Sequence, residues 1–258
     1  MSLDTLATLA AVAFCAGFFD AIAGGGGLIT LPALLLAGID PVAAIGTNQF
    51  QAASGSVSAT VAFARKRLID WRQGRLLAPM ALAGGVAGAL LVGAIERRWL
   101  EAAVPLLLIG VAAYFLFSPA MRDEARRQRM AVATFALTLA PLLGFYNGIF
   151  GPGVGAFFMI GLVLLCGLPL LRAVGLTKLG NAACNLGALA VFAVQGVIIW
   201  PLALAMAVAA FAGAQLGARC AVRVGPRLVK PLVVLVCCAL AARLLSSPDN
   251  PLRQMLGV

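Results

Sequence analysis

Histidine is missing from all 258 residues. That absence removes histidine-ligated metal sites, haem ligation through imidazole and every catalytic triad built on a histidine base. Acids are scarce too, with nine Asp and Glu against 19 Lys and Arg. Paired carboxylates are nearly absent and no nucleophile stands beside a base, so the chain does not read as an enzyme. Charge of either sign is thin, 11% of residues where a soluble domain carries about 25%. Six cysteines (Cys15, Cys166, Cys184, Cys220, Cys237 and Cys238) lack metal-ligand spacing and read as small buried thiols. No metal and no cofactor is expected.

What fills the chain is apolar surface. Hydrophobic residues make up 62% and mean hydropathy is +1.03, which marks an all-α polytopic membrane protein. The net charge of +10 collects in short connections between apolar runs, the pattern of cytoplasmic loops and not of a nucleic-acid surface. The expected partners are therefore the lipid bilayer and a small solute, with no nucleic acid. Met1-Ser2-Leu3-Asp4 lacks the basic start of a secretory signal, so the first apolar run reads as a retained segment. Trp71, Trp99 and Trp200 fall at segment ends, as interfacial anchors do.

Apolar segments lie near 3–23, 28–38, 41–64, 76–95 and 100–118, then near 131–150, 154–168, 173–195, 200–218 and 229–246. A spanning helix needs about 20 residues. Eight segments qualify, whereas 28–38 and 154–168 reach only part of the way and read as half-helices or re-entrant pieces. Each follows a glycine break: Gly24-Gly25-Gly26-Gly27 before the first, Gly151-Pro152-Gly153 before the second. Glycine lets backbone leave helical geometry, and unwound backbone at membrane depth is tolerated only against protein or a wet cavity. The four glycines are no nucleotide loop, since no Lys-Ser or Lys-Thr follows them and no strand precedes.

The two halves repeat. Trp71 and Trp200, Gly84 and Gly213, and Gly88 and Gly217 all stand 129 apart. The same offset aligns Gly46-Thr47-Asn48-Gln49 with Gly175-Leu176-Thr177-Lys178, while Gly17-Phe18-Phe19-Asp20 matches Gly144-Phe145-Tyr146-Asn147 at 127. We read one transporter domain over 1–258, made of repeats 1–121 and 130–258 joined by linker 122–129. The basic connections 65–75, 122–129 and 219–230 belong inside, while the uncharged Gln195–Trp200 and the balanced 96–101 belong outside. Five segments per half then give inverted repeats with both termini on the outer face of a bacterial plasma (inner) membrane. Inverted repeats with broken helices near the midplane are a recurrent transporter design.

Taken together, Gly24 to Gly27 with Leu31-Pro32, Gly46-Thr47-Asn48, Gly151-Pro152-Gly153, and Thr177-Lys178 with Asn181 resemble the TauE/SafE family of sulfite and organosulfur-anion transporters. The resemblance covers nearly the whole chain. It implies movement of small anions, often sulfite, sulfonates or related compounds, and leaves the particular anion open. The chain departs from the family at Leu176, before the retained lysine.

The residues support an anion site on their own terms. Half-helices after Gly27 and Gly153 would turn free N–H groups and a positive dipole end toward the midplane. Lys178, an ionisable side chain inside a span, is by default a functional candidate; its alternative is to snorkel to the inner interface near Arg172. Thr177, Asn181 and Asn185 share its broad helix face, and Asn48, Gln49 and Gln51 occupy the matching stretch of the other half. The amides are equally open to a second role, as hydrogen-bond glue between helices. Asp20 is the one acid well inside a span and is open to two roles, proton coupling or support of the glycine break; its mate Asn147 cannot titrate. Gly84 and Gly88, like Gly213 and Gly217, have the small-xxx-small spacing of close helix packing, and such faces leave room for a homodimer. The expected mechanism is secondary transport by alternating access, with a passive anion channel and a membrane-embedded enzyme as alternatives.

Overall fold

The structure is a computed structural model that describes residues 2–23, 25–96, 99–100, 103, 109–110 and 128–224. These residues hold eight helices and no strand: α1 Leu3–Ala23, α2 Gly27–Leu36, α3 Pro41–Arg65, α4 Trp71–Val92, α5 Val132–Ile149, α6 Val154–Leu164, α7 Leu170–Gln195 and α8 Trp200–Val224. The segment expected at 229–246 lies outside the described residues, as do most of 100–118 and of linker 122–129.

Helix starts follow local capping chemistry. Asp40 Oδ1 accepts from the Val42 and Ala43 amides at 2.9 and 3.2 Å and opens α3, with Pro41 at its first position. Asp70 Oδ1 does the same for Arg72 and Gln73, so α4 begins at Trp71, five residues before its apolar run. Trp71 and Trp200 stand exposed at the starts of α4 and α8.

Five helices, α1, α4, α5, α7 and α8, are long and apolar enough to cross a membrane. The segment expected at 41–64 is α3. α3 has 25 residues, roughly 37 Å at about 1.5 Å each, but it is too polar to count among the five. Its polar side chains are absorbed by neighbours. Ser54 and Ser58 donate to the Ala207 and Phe211 carbonyls of α8, each at 2.9 Å, and Thr47 accepts from the Ile199 amide at 3.2 Å. α2 and α6, with 10 and 11 residues, reach only about half of a roughly 30 Å hydrocarbon layer.

Contacts give the helix directions. Gly213 lies against Phe14 and Phe18, and Gly217 against Phe18 and Ala21, so α1 and α8 run parallel. The serine bonds make α3 parallel to α8. Gly84 meets Pro141 and Phe145, and Gly88 meets Phe145 and Gly148, so α4 and α5 are parallel. Gly74 and Gly85 of α4 meet Leu179 and Cys184 of α7, again in parallel. Gly46 meets Phe192 while Ser56 meets Asn185, so α3 and α7 are antiparallel. Hence α1, α3 and α8 point one way and α4, α5 and α7 the other. The main packings also repeat when the halves are exchanged: α1 on α8 matches α5 on α4, and α3 on α8 matches α7 on α4.

These parallel seams are built by glycine. A Cβ on Gly84 or Gly88 would lie 2.1 Å from a carbonyl oxygen of α5, and one on Gly213 2.0 Å from that of Phe14. The backbones touch, which places dispersion and weak contacts where lipid offers no hydrophobic driving force.

Candidate functional site

The two breaks meet at the centre. A Cβ on Gly27, the first residue of α2, would lie 3.2 Å from Pro152 Cα in the opposite break. The breaks differ in kind. Gly26 has helical angles, φ −56° and ψ −43°, and is glycine for space: a Cβ would stand 2.8 Å from Asp20 Cβ and 2.9 Å from the Ala16 carbonyl. Gly151 and Gly153 sit at φ +86° and +81°, in the left-handed region that glycine alone enters freely. Each break has its own tether. The Gly26 amide donates to Asp20 Oδ1 at 3.2 Å, and Tyr146 Oη donates to the Pro152 carbonyl at 2.7 Å.

Between the breaks lies a polar cavity of about 20 Å³, room for about one water. The first half supplies Asp20, Gly27, Asn48, Gln49 and Ala52. The second supplies Asn147, Gly151, Gly153, Val154, Asn181 and Asn185.

Lys178 stands behind this wall, 1% exposed. Its Nζ donates to Asp20 Oδ2 at 3.1 Å and to the Asp20 carbonyl, forming an ion pair between the halves. The other half repeats the contact in neutral form. Gln49, the repeat mate of Lys178, donates through Nε2 to the carbonyl of Asn147, the mate of Asp20, at 2.6 Å. One geometry is thus occupied once by Lys and Asp and once by Gln and Asn. Taking a charge into such a site is tolerable only with a partner, and Asp20 is that partner.

A chain of amides closes the floor. Asn147 Nδ2 donates to Asn185 Oδ1 at 2.8 Å, and Asn185 Nδ2 donates to Ser56 Oγ at 3.2 Å and to Asn181 Oδ1 at 3.4 Å. Ser56 and Asn185 are themselves 129 residues apart, so repeat mates meet each other here. Thr30, one turn into α2, bonds Asn48 Oδ1 and holds it at the wall. Among the described residues, three buried side-chain atoms keep no partner: Gln49 Oε1, Gln51 Oε1 and Thr177 Oγ1.

Of the residues expected from sequence, the structure brings Gly27, Asn48, Gln49, Gly151, Gly153 and Asn181 to one cavity, with Asp20, Asn147 and Asn185. Lys178 reaches it through Asp20. Gly25 and Gly26 lie behind the wall, Thr177 and Gln51 are buried off the lining, and Gly24 lies outside the described residues. Sequence reasoning missed Ser56, Thr30 and Tyr146. Ser56 carried a signal, its 129-residue offset from Asn185; Thr30 and Tyr146 are recruited by packing alone. Among the described residues no cluster could hold a metal ion.

The chain is similar to known proteins over nearly its whole length. The family described as "Sulfite exporter TauE/SafE" matches residues 9–244. A Sinorhizobium protein named "Probable membrane transporter protein ORF9" is 46% identical over 257 residues, covering 100% of this chain and 98% of its own. The Escherichia coli K12 protein "Probable membrane transporter protein YfcA" is 41% identical over 93% of this chain and 89% of its own. A "Probable membrane transporter protein" of Haemophilus influenzae is 39% identical over 95% and 96%. No solved structure matches the chain.

Proposed function

The chain belongs to the sulfite exporter TauE/SafE family and is a multi-pass membrane transporter, not an enzyme; from that premise we propose that it is a secondary carrier of small, sulfur-containing anions such as sulfite or a sulfonate. The observation that carries this reading is the central cavity, polar and walled by both halves between two glycine breaks. The helix directions support two inverted repeats that rock about it in turn, with both termini outside the inner membrane.

In this reading the anion is held by amide donors of Asn48 and Asn181 and by the N-terminal ends of α2 and α6. Lys178 is neutralised by Asp20 before an anion enters. An entering anion competes with Asp20 for the ammonium, so loading the site and releasing the ion pair are one event. That links occupancy to the contact that ties α1 to α7.

The test is uptake by the full-length protein in proteoliposomes. Saturable sulfite or sulfonate uptake, accelerated by the same anion on the far side, supports the carrier. Flux without saturation or trans-acceleration would establish the channel instead.

A further inference from the structure

We propose that the transported anion carries a hydrogen-bond donor of its own, a hydroxyl, an amine or an acidic proton, and that Gln49 Oε1 receives it. The inference rests on the anion-transport reading of the same cavity and names its substrate class.

Gln49 is fully buried, lines the cavity and spends its Nε2 on the Asn147 carbonyl at 2.6 Å, while Oε1 has no partner. The amide cannot be turned round, because a backbone carbonyl only accepts and the flipped group would oppose oxygen to oxygen. A second orientation is set by the amide chain. The Ser56 hydroxyl gives its proton within its own helix, to the Ala52 carbonyl at 2.7 Å. Its oxygen therefore accepts from Asn185 Nδ2, so Asn185 turns Oδ1 to Asn147, which must answer with Nδ2. Asn147 Oδ1 is left as a further acceptor beside Gly151. The same logic gives Asn181 the opposite sense. Its Oδ1 accepts from Asn185, which leaves its Nδ2 as a donor.

The wall is thus mixed. Asn181 and the start of α6 offer donors to oxyanion oxygens, whereas Gln49, Asn147 and the Asp20 carboxylate offer acceptors. A bare oxyanion presents lone pairs in every direction and leaves Gln49 Oε1 facing another acceptor. A cargo with a donor at one end and an oxyanion at the other satisfies both sides.

Three sulfonates of equal length test this in proteoliposomes of the full chain: propane-1-sulfonate, 2-hydroxyethanesulfonate and 2-aminoethanesulfonate. The expected result is a preference of about tenfold or more in kcat/KM for the hydroxyl or the amine over propane-1-sulfonate, since a site built for a hydrogen bond rejects the analogue lacking it. The two arms separate hydroxyl from amine. Sulfite is the arm for an acidic proton, read as uptake that rises as falling pH adds that proton. Gln49→Leu should bring the preference to about one. If Gln49→Leu does not fold, the wild-type preference decides alone. Equal uptake of all three sulfonates with pH-indifferent sulfite uptake overturns the inference and leaves anion transport standing. No saturable uptake of any probe overturns the transport reading beneath it.

Discussion

Lys178 holds the largest electrostatic stake of any single residue. Its ammonium is buried against Asp20, and truncating one member of such a pair leaves the other charge unpaired, at a cost of about 3–5 kcal/mol. Lys178→Ala and Asp20→Asn should each lower the midpoint of thermal unfolding in detergent, and Lys178→Ala should abolish anion uptake. The double variant Asp20→Asn/Lys178→Gln recreates the neutral contact that Gln49 and Asn147 already make. It should recover most of the lost stability without recovering uptake. A double variant that transports at the wild-type rate would remove Lys178 from the mechanism. A smaller effect is expected one layer down. Asn185→Ala strands Asn147 Nδ2, worth about 1–3 kcal/mol for a buried group left unpaired, and should be visible in the same melts.

Among the helices, the seams between α4 and α5 and between α1 and α8 depend on glycine for space. A methyl at Gly84 or Gly213 must push backbone away, since no flexible side chain is there to yield. Gly84→Ala and Gly213→Ala should therefore destabilise, by about 1–3 kcal/mol as overpacking does. Gly93→Ala meets nothing within 4 Å and has ordinary angles, so it should shift stability by no more than about 0.5 kcal/mol. Size-exclusion profiles and melts of the three purified variants check the contrast. The short helices obey a different constraint. α6 begins from two glycines with positive φ, whereas the break before α2 is kept in shape by Asp20. The same architectural need is met once by backbone geometry and once by a side chain.

For the molecule as a whole, the breaks meeting at Gly27 and Pro152 form the contact that has to change if access alternates. With native cysteines replaced, Gly27→Cys/Pro152→Cys should lose uptake on oxidation and regain it with a reductant. Uptake that persists through a demonstrated crosslink would show that the halves need not part there. The exchange-symmetric packing gives a reason for two such states. If the halves can trade conformations, similar contacts serve both outcomes at similar energy, and asymmetries such as the Lys178–Asp20 pair distinguish them.

Composition was enough to indicate an all-helical, multi-pass membrane protein, because a bilayer admits so few ways to satisfy backbone polar groups, and the glycine and Thr-Lys motifs carried the family resemblance that implied transport. They also picked out most of the cavity lining, since glycines and amides stand out in an apolar background. What sequence could not settle was pairing. Lys178 alone reads as a free cation, and only the tertiary structure sets Asp20 against it, because the two are 158 residues apart and meet where α1 packs beside α7. Nor could it show where the hydroxyls of α3 find partners; Ser54 and Ser58 spend theirs on carbonyls of α8. Periodicity reports the environment of a segment. Which donor finds which acceptor is decided by helices that meet only in the folded bundle.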